Sequence, residues 1–412
     1  MLRPVPGSRV LHEASDAGPS DRAGHRLHQL ATAFPSHKPE PVNPTDRCHP
    51  GRDFASQDYL ALATHSRLRA AASAALGEHR LSPPGTEASL AVTVPVLALE
   101  ERTARFLQLP AAIAFPSGAE AIRATLQNLI AAADDVIIDA GADSAMFETV
   151  LTARARLHRT PPGSLEAVER RLRRLTANPR RARIWVLVPA ISAFASVMAD
   201  VAELSALCRA YGAGLIVDVT HDLGAMAQSG GGVMEIQGCT GCADIVIGSY
   251  AQTFGAPGGF AAFRDPGVRP RLIAGQGRTA PFSPALAATI LAAFDIIDSA
   301  EGRRRRRRLH GNSLRLRNHL MADGLRVMGQ PSPLVPVRLP HKSALARTGL
   351  LESAGMSVPL LQAPTVAAHA PRWCLRLTAG HGPADIDDLA DLIHDVTRIF
   401  DMRQRRRAGT PA

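Results

Sequence analysis

The sequence predicts an α/β fold: a mostly parallel central sheet flanked by helices, followed by a smaller C-terminal α+β domain. Three observations carry this prediction. Short apolar runs of strand length (AIAF, DVIIDA, IWVLVPA, GLIVDV and ADIVIGS, between residues 112 and 249) alternate with helical patterns. Repeated strand-helix-strand units imply parallel strands covered on both faces. With 412 residues and 46% hydrophobic content, the chain can bury one large core and a smaller one.

Taken in order, residues 1–50 read as a flexible leader rich in Pro, Ser, His and Arg, and order begins at FASQDYLAL, residues 54–62. A helix through LALEERTARFL leads to the strand AIAF, a helix from Gly118, the strand DVIIDA and a helix near Phe147. The strands IWVLVPA and GLIVDV follow, separated by the helical stretch VAELSALCRAYG, and then comes ADIVIGS. A long helical segment after Phe282 leads to a C-terminal region with strands near PSPLVPVRL and RWCLRLT. The expected division is a large domain over 51–300, a small one over 301–400 and a basic tail over 401–412.

The net charge of +10 comes from 45 Arg against two Lys, Lys38 and Lys342. The arginine runs at 303–308 and 403–407 read as solvated helix faces, since aromatic residues to stack bases make up only 4% of the chain. Nucleic-acid binding is therefore not expected. Five scattered cysteines (Cys48, Cys208, Cys239, Cys242, Cys374) argue against a disulfide scaffold and for a cytoplasmic location. Cys239 and Cys242 have knuckle spacing without a second pair, so no metal is assigned. No run reaches the ~18 apolar residues of a membrane span.

Two clusters carry chemistry. Asp218 ends the strand GLIVDV and His221 follows in the turn VDVTHDLG. Ser117 and Gly118 end one strand and open a helix, where free backbone N–H groups can hold a phosphate; an ordinary helix cap explains the same pair. Further on, an apolar strand (Asp244 to Ile247) runs through a Gly-Ser turn to Gln252. A glycine-rich return (Gly255, Gly258, Gly259) then re-enters a strand at Phe260.

This last stretch resembles the lysine loop of the α-oxoamine synthases, the family of 8-amino-7-oxononanoate synthase and serine palmitoyltransferase, which reads roughly G-T-x-x-K-x-x-G-x-x-G-G. Gln252 stands where that loop has its Schiff-base lysine. VDVTHD is similar to the family's V-D-E-A-H-S, FASQDYLAL to N-x-x-N-D-Y-L-G-L, and SPLVPV (332–337) to S-P-I-V-P-V. The resemblance covers about residues 50–400 and implies the aspartate-aminotransferase-like fold type I with pyridoxal 5'-phosphate as cofactor. By this resemblance Asp218 holds the pyridine nitrogen charged, His221 and Gln252 face the phenolate side, and Ser117, Gly118 and Ser249 bind phosphate. Arg372 or Arg376 takes the substrate carboxylate. The family's ring-stacking His falls on Asp143, its G-S-R arginine on Ala88 and its interface Thr on Pro284; of its paired arginines, the second falls on Cys374.

Neither lysine of the chain is placed to replace the missing one. An amide is no useful nucleophile or base. The resemblance thus leaves three readings: a lysine-less member binding the cofactor non-covalently and impaired or partner-dependent, an active acyltransferase using free cofactor, and a structural homologue with an emptied site. The implied partners are a small amino acid, an acyl-CoA or acyl-carrier protein, and a second subunit, either identical or a lysine-bearing paralogue.

Overall fold

The structure is a computed structural model and describes residues 50–79, 93–177, 182–276, 281–363 and 365–407. The expected leader (apart from Pro50), Lys38, Ala88, Cys48 and the end of the basic tail lie outside these residues.

In chain order the elements are α1 (Ser66–Glu78), α2 (Val94–Phe106), β1 (Ala111–Phe115), α3 (Gly118–Leu129), β2 (Asp135–Asp139), α4 (Ser144–Thr152), β3 (Arg156–Thr160), α5 (Leu165–Thr176) and β4 (Ile184–Pro189). Next come α6 (Val201–Ala210), β5 (Gly214–Asp218), α7 (Gly232–Ile236), β6 (Ile245–Ser249), β7 (Gly259–Phe263), α8 (Val268–Gln276), α9 (Pro284–Asp298) and α10 (Ala300–Ala322). The last are β8 (Arg326–Val327), β9 (Leu334–Arg338), α11 (Ala344–Ser353), β10 (Leu360–Leu361), β11 (Arg372–Arg376) and α12 (Pro383–Arg407).

The large sheet has the order β1-β7-β6-β5-β4-β2-β3. Strands β3, β2, β4, β5 and β6 pair in parallel, while β7 runs antiparallel to both β6 and β1. Every strand but β7 therefore points the same way. Side chains alternate between two cores. Ile113, Ile138, Leu187, Ile216 and Ile247 join the cluster on one face, and Ala112, Ile137, Val186, Val217 and Val246 the cluster on the other. This is why the strands read as unbroken apolar runs. A second, antiparallel sheet, β10-β11-β9-β8, follows in the C-terminal region.

Three local expectations are corrected. Gly248 and Ser249 are not a turn: both lie in β6, paired with Phe260 and Gly259 of β7, because the antiparallel return closes the ladder up to its last residue. The long helix after Phe282 is two helices, since Ser299 is extended (ψ 172) and caps α10 through Glu301 N–H. The first arginine run is not wholly solvated. Arg306 is buried, and its guanidinium donates to the carbonyls of Ile297 (2.9 Å) and Gln228 (2.7 Å), so a helix face that turns inward carries one arginine with it.

Segment 54–61 lies between the two sheets. On one side Tyr59 N–H donates to Gln252 O (2.8 Å). On the other, the N–H groups of Arg376 and Ala379 donate to Phe54 O (2.9 Å) and Tyr59 O (2.7 Å). Ala61, at the glycine of the family's N-x-x-N-D-Y-L-G-L, has φ +53, a conformation costly for a residue with a Cβ. Arg305 holds this turn through Leu60 O (2.9 Å) and Ala61 O (3.2 Å).

Candidate active site

A cleft opens at the C-terminal ends of β1, β2, β4, β5 and β6, where ligands of such sheets gather. Six of the residues picked out in the sequence line it: Gly118, Asp143, Asp218, His221, Ser249 and Gln252.

At one end of the cleft stands the N-terminus of α3. Ser117 Oγ accepts the N–H of Glu120 (3.1 Å) and Ser117 O that of Ala121 (3.0 Å). The hydroxyl is thus the helix cap, and the N–H groups of Gly118 and Ala119, both at the cleft wall, remain for an anion. Close approach explains the glycines here. A Cβ on Gly118 would lie 2.7 Å from Ser249 Cβ, and one on Gly259 would overlap Ser117 O. Ser249 Oγ, beside them, donates to Gly258 O (3.3 Å) and accepts from Ala251 N–H (3.2 Å).

At the other end, Asp218 is only 6% exposed, and Oδ1 accepts the N–H of Thr220 (3.0 Å). Burial, with the Asp143 carboxylate adding to it, pushes its carboxyl up to about 6, against the hydrogen bonds from Thr220. A cationic ring nitrogen beside it would restore the carboxylate. His221 is half-buried; burial, aided by the charge of Arg376, pulls its imidazole down to about 4, so it is neutral near pH 7. Its Nδ1 lies 2.8 Å from the hydroxyl of Tyr59, a residue with no exposed surface. Burial pushes that phenol far up, so it keeps its proton; with Nδ1 the one partner of this buried hydroxyl among the described residues, donating to Nδ1 is what satisfies that proton. The imidazole proton then sits on Nε2, as a donor to an anionic oxygen.

Gln252 occupies the cleft wall one turn beyond β6. Its Nε2 donates to Gln57 Oε1 (3.4 Å), while its Oε1 is shut off from solvent without a partner. Among the described residues no lysine or arginine lines the cleft, and Lys342 is exposed on the short 3-10 turn His341–Ser343.

Asp143 does not take the place of a stacking imidazole. It is exposed, and its carboxylate caps α4 by accepting the N–H of Ala145 (2.8 Å), the favoured use of an Asp just before a helix. Arg372 and Arg376 stand on the same face of β11 but do not line the cleft. Arg372 donates to Phe194 O (3.1 Å) and Arg376 to Ala55 O (2.7 Å), and the Nε of Arg376 is buried without a partner. Cys374, between them, donates its thiol to Ala193 O (3.4 Å). Pro284 is the first residue of α9.

Sequence reasoning passed over Gln57 and Tyr59, although both stand in the FASQDYLAL motif, and Asp222, one residue after His221. Asp222 has no exposed surface. Oδ2 accepts the N–H of Val233 (2.7 Å), Oδ1 has no partner, and burial pushes the carboxyl up to about 8.

The parts of this cleft suit pyridoxal phosphate at three points: an anion-ready helix start packed too tightly for a Cβ, a buried carboxylate, and a neutral imidazole held in one tautomer. Sheet, strand-end carboxylate and helix start together define a fold type I pyridoxal-phosphate protein. The family model for aminotransferase class I and II matches residues 52–393. Over 339 residues the chain is 32% identical to 8-amino-7-oxononanoate synthase of Geobacter metallireducens, covering 81% of this chain and 85% of that one. It is 29% identical to that of Acidithiobacillus ferrooxidans, covering 93% and 99%. The chain belongs to the α-oxoamine synthases, a pyridoxal-phosphate-dependent family. Among solved structures, serine palmitoyltransferase of Sphingomonas wittichii superposes with a TM-score of 0.82 at 22% identity, covering 92% of this chain and 97% of that one. A lysine-to-alanine variant of the S. paucimobilis enzyme, solved with a bound PLP–myriocin aldimine, gives 0.81 at 22% identity with the same coverage. These likenesses show the fold.

Proposed function

We propose that this chain is a lysine-less α-oxoamine synthase that holds a pyridoxal-phosphate-type cofactor without a covalent tether. The observation that carries the reading is Gln252 in the wall of a cleft that otherwise keeps Asp218, His221 and the α3 N-terminus, with no lysine lining it among the described residues. Gly118 and Ala119 N–H groups, with Ser249, suit the phosphate; Asp218 suits the ring nitrogen; His221 Nε2–H suits the phenolate oxygen. When bound, the cofactor supplies an electron sink for the α-carbon of an amino acid.

Gln252 can donate and accept hydrogen bonds but can move no proton. Losing a positioned acid or base costs ~10²- to 10⁴-fold in rate. The family reaction, decarboxylative condensation of an amino acid with an acyl thioester of coenzyme A or a carrier protein, is therefore impaired in this chain alone, or completed with a lysine-bearing second subunit. Arg376, whose charge acts on His221, is the candidate receptor for a substrate carboxylate; it does not line the cleft, so substrate would have to draw its guanidinium away from Ala55 O. A homodimer is the ground state of the family that this reading adopts. A site emptied of cofactor is the second reading, favoured by the carboxylate of Asp143 at the ring-stacking position.

The test is an absorption spectrum of protein purified with pyridoxal phosphate, taken before and after borohydride, with mass spectrometry of the product. Expected for the wild type is bound cofactor that dialyses away and leaves no reduced adduct. Gln252→Lys should gain an adduct at position 252. A borohydride-fixed adduct on the wild-type chain defeats the reading, and a chain that takes up no cofactor supports the emptied site.

A further inference from the structure

We infer that the adjoining outer faces of α10 and α12 dock a second copy of this chain, about a two-fold axis that passes beside Gly311 and Leu314. This goes beyond the cofactor reading and does not rest on it.

α10 turns four arginines outward within two turns. Arg303, Arg304, Arg307 and Arg308 are exposed on one side of the helix, while Arg306 is turned inward and buried. Arg303 and Arg308 reach only backbone carbonyls, of Asp298 (3.1 Å) and Ala379 (3.5 Å), and Arg304 and Arg307 have no hydrogen bond or ion pair among the described residues. α12 carries the reverse charge. Asp388, Asp391 and Asp395 recur at helical spacing on its exposed side, equally without partners among the described residues.

The two helices run side by side in the same direction: Asn312 Nδ2 donates to His381 O (3.0 Å), Arg315 Nε to Asp387 Oδ1 (2.6 Å), and His394 Nδ1 lies 2.8 Å from Asp323 Oδ1. The order of these pairs sets Asp388 and Asp391 level with the last turn of α10, about 20 Å along the helix from Arg304 and Arg307. Gly311 and Leu314 stand midway. A Cβ on Gly311 would meet nothing, and Leu314 is 38% exposed.

A surface with a cationic end, a small and apolar middle and an anionic end complements itself once turned end for end. An antiparallel two-fold lays each copy's arginines over its partner's carboxylates and brings the two Leu314 side chains together, the isologous arrangement of homo-oligomers. A parallel pairing would set four arginines against four, which like-charge repulsion opposes. A polyanion such as a lipid surface would be drawn to the arginines but repelled by the aspartates of the same face; a second copy answers both. Pro284, at the family's interface position, is buried at the start of α9 and lies off this face, so the contact is additional to the pairing expected of the family.

The experiment measures the mass of the full chain by sedimentation at micromolar concentration in low and high salt. High salt is expected to halve the mass of the wild type, and the double variant Arg304→Glu with Arg307→Glu to show the lower mass already in low salt. Adding Asp388→Arg and Asp391→Arg to that variant, which exchanges the two ends, should restore the higher mass. Leu314→Cys should give a disulfide-linked pair on exposure to oxidised glutathione, since the axis sets that position against itself, whereas Leu151→Cys, exposed on α4, should not. A mass that neither salt nor the double variant changes, with no linked pair at position 314, overturns the inference, and any assembly then rests on the family's interface alone. A wild type of unchanged mass that binds anionic phospholipid vesicles through Arg304 and Arg307 also overturns it, and gives the face to lipid.

Discussion

Tyr59 and His221, 162 positions apart, are joined by a hydrogen bond of 2.8 Å at the base of the cleft. The tyrosine fixes which imidazole nitrogen carries the proton, and so fixes what the histidine offers a ligand.

Tyr59→Phe removes that control. It should cost about 1 kcal/mol of stability, because Nδ1 loses its donor, and weaken cofactor binding roughly 5-fold. Nitrogen chemical shifts of His221 should change from one tautomer to a mixture. Unchanged shifts would mean that the tyrosine does not set the tautomer.

Gly118→Ala should destabilise the protein by about 1–3 kcal/mol and abolish anion binding, since the new methyl group would meet Ser249 Cβ at 2.7 Å. Combining it with Ser249→Gly should restore part of the stability. Thermal unfolding of the two single variants and the double one measures the coupling.

Asp222 makes the fold less stable as pH rises. Its folded-state carboxyl is raised from 3.8 to about 8, so the native chain holds a proton that the unfolded chain has released. Stability is fully present below about pH 4 and is lost on rising to about pH 8. Asp218, raised to about 6, acts in the same sense over a shorter window, while His221, depressed to about 4, acts in the opposite sense up to its ordinary 6.5. Above that value Asp222 stands alone among the three. Asp222→Asn, isosteric with the protonated acid, should be neutral below about pH 4 and stabilising by at least about 1 kcal/mol above pH 8. Denaturant melts at the two pH values check it.

Arg306→Met should cost about 2–4 kcal/mol, because it leaves the carbonyls of Ile297 and Gln228 without their donors in a buried setting. Arg304→Met, on the exposed face of the same helix, should stay within about 0.5 kcal/mol. Equal losses would mean that burial of the guanidinium is not what matters.

Ala61→Gly should stabilise by about 1 kcal/mol by relieving φ +53. A melting temperature that does not rise would show the turn to be unstrained.

The parallel strands were legible because burial on both faces removes polar residues from them: β4, β5 and β6 fall within the apolar runs read from the sequence. Their ends carried the site with them, and the motif residues Asp218, His221 and Gln252 reach one cleft. Strand β3 was not legible. It is RLHRT, an edge strand whose residues are mostly half-buried, and its Arg156 and His158 pair with Asp135, so polarity masks it. Arg306 could not be told from its five arginine neighbours, since only the direction of the helix face separates them. The Tyr59–His221 bond is set by tertiary packing that no local pattern encodes.

The ribbon of residues 54–61 is tied by its backbone to Gln252 on one side and to the neighbourhood of β11 on the other. Any sliding of the small sheet against the large one therefore pulls on the residue that aims the imidazole. A shift of β11 would travel along the same ribbon to Tyr59, and through its hydroxyl to the imidazole of His221.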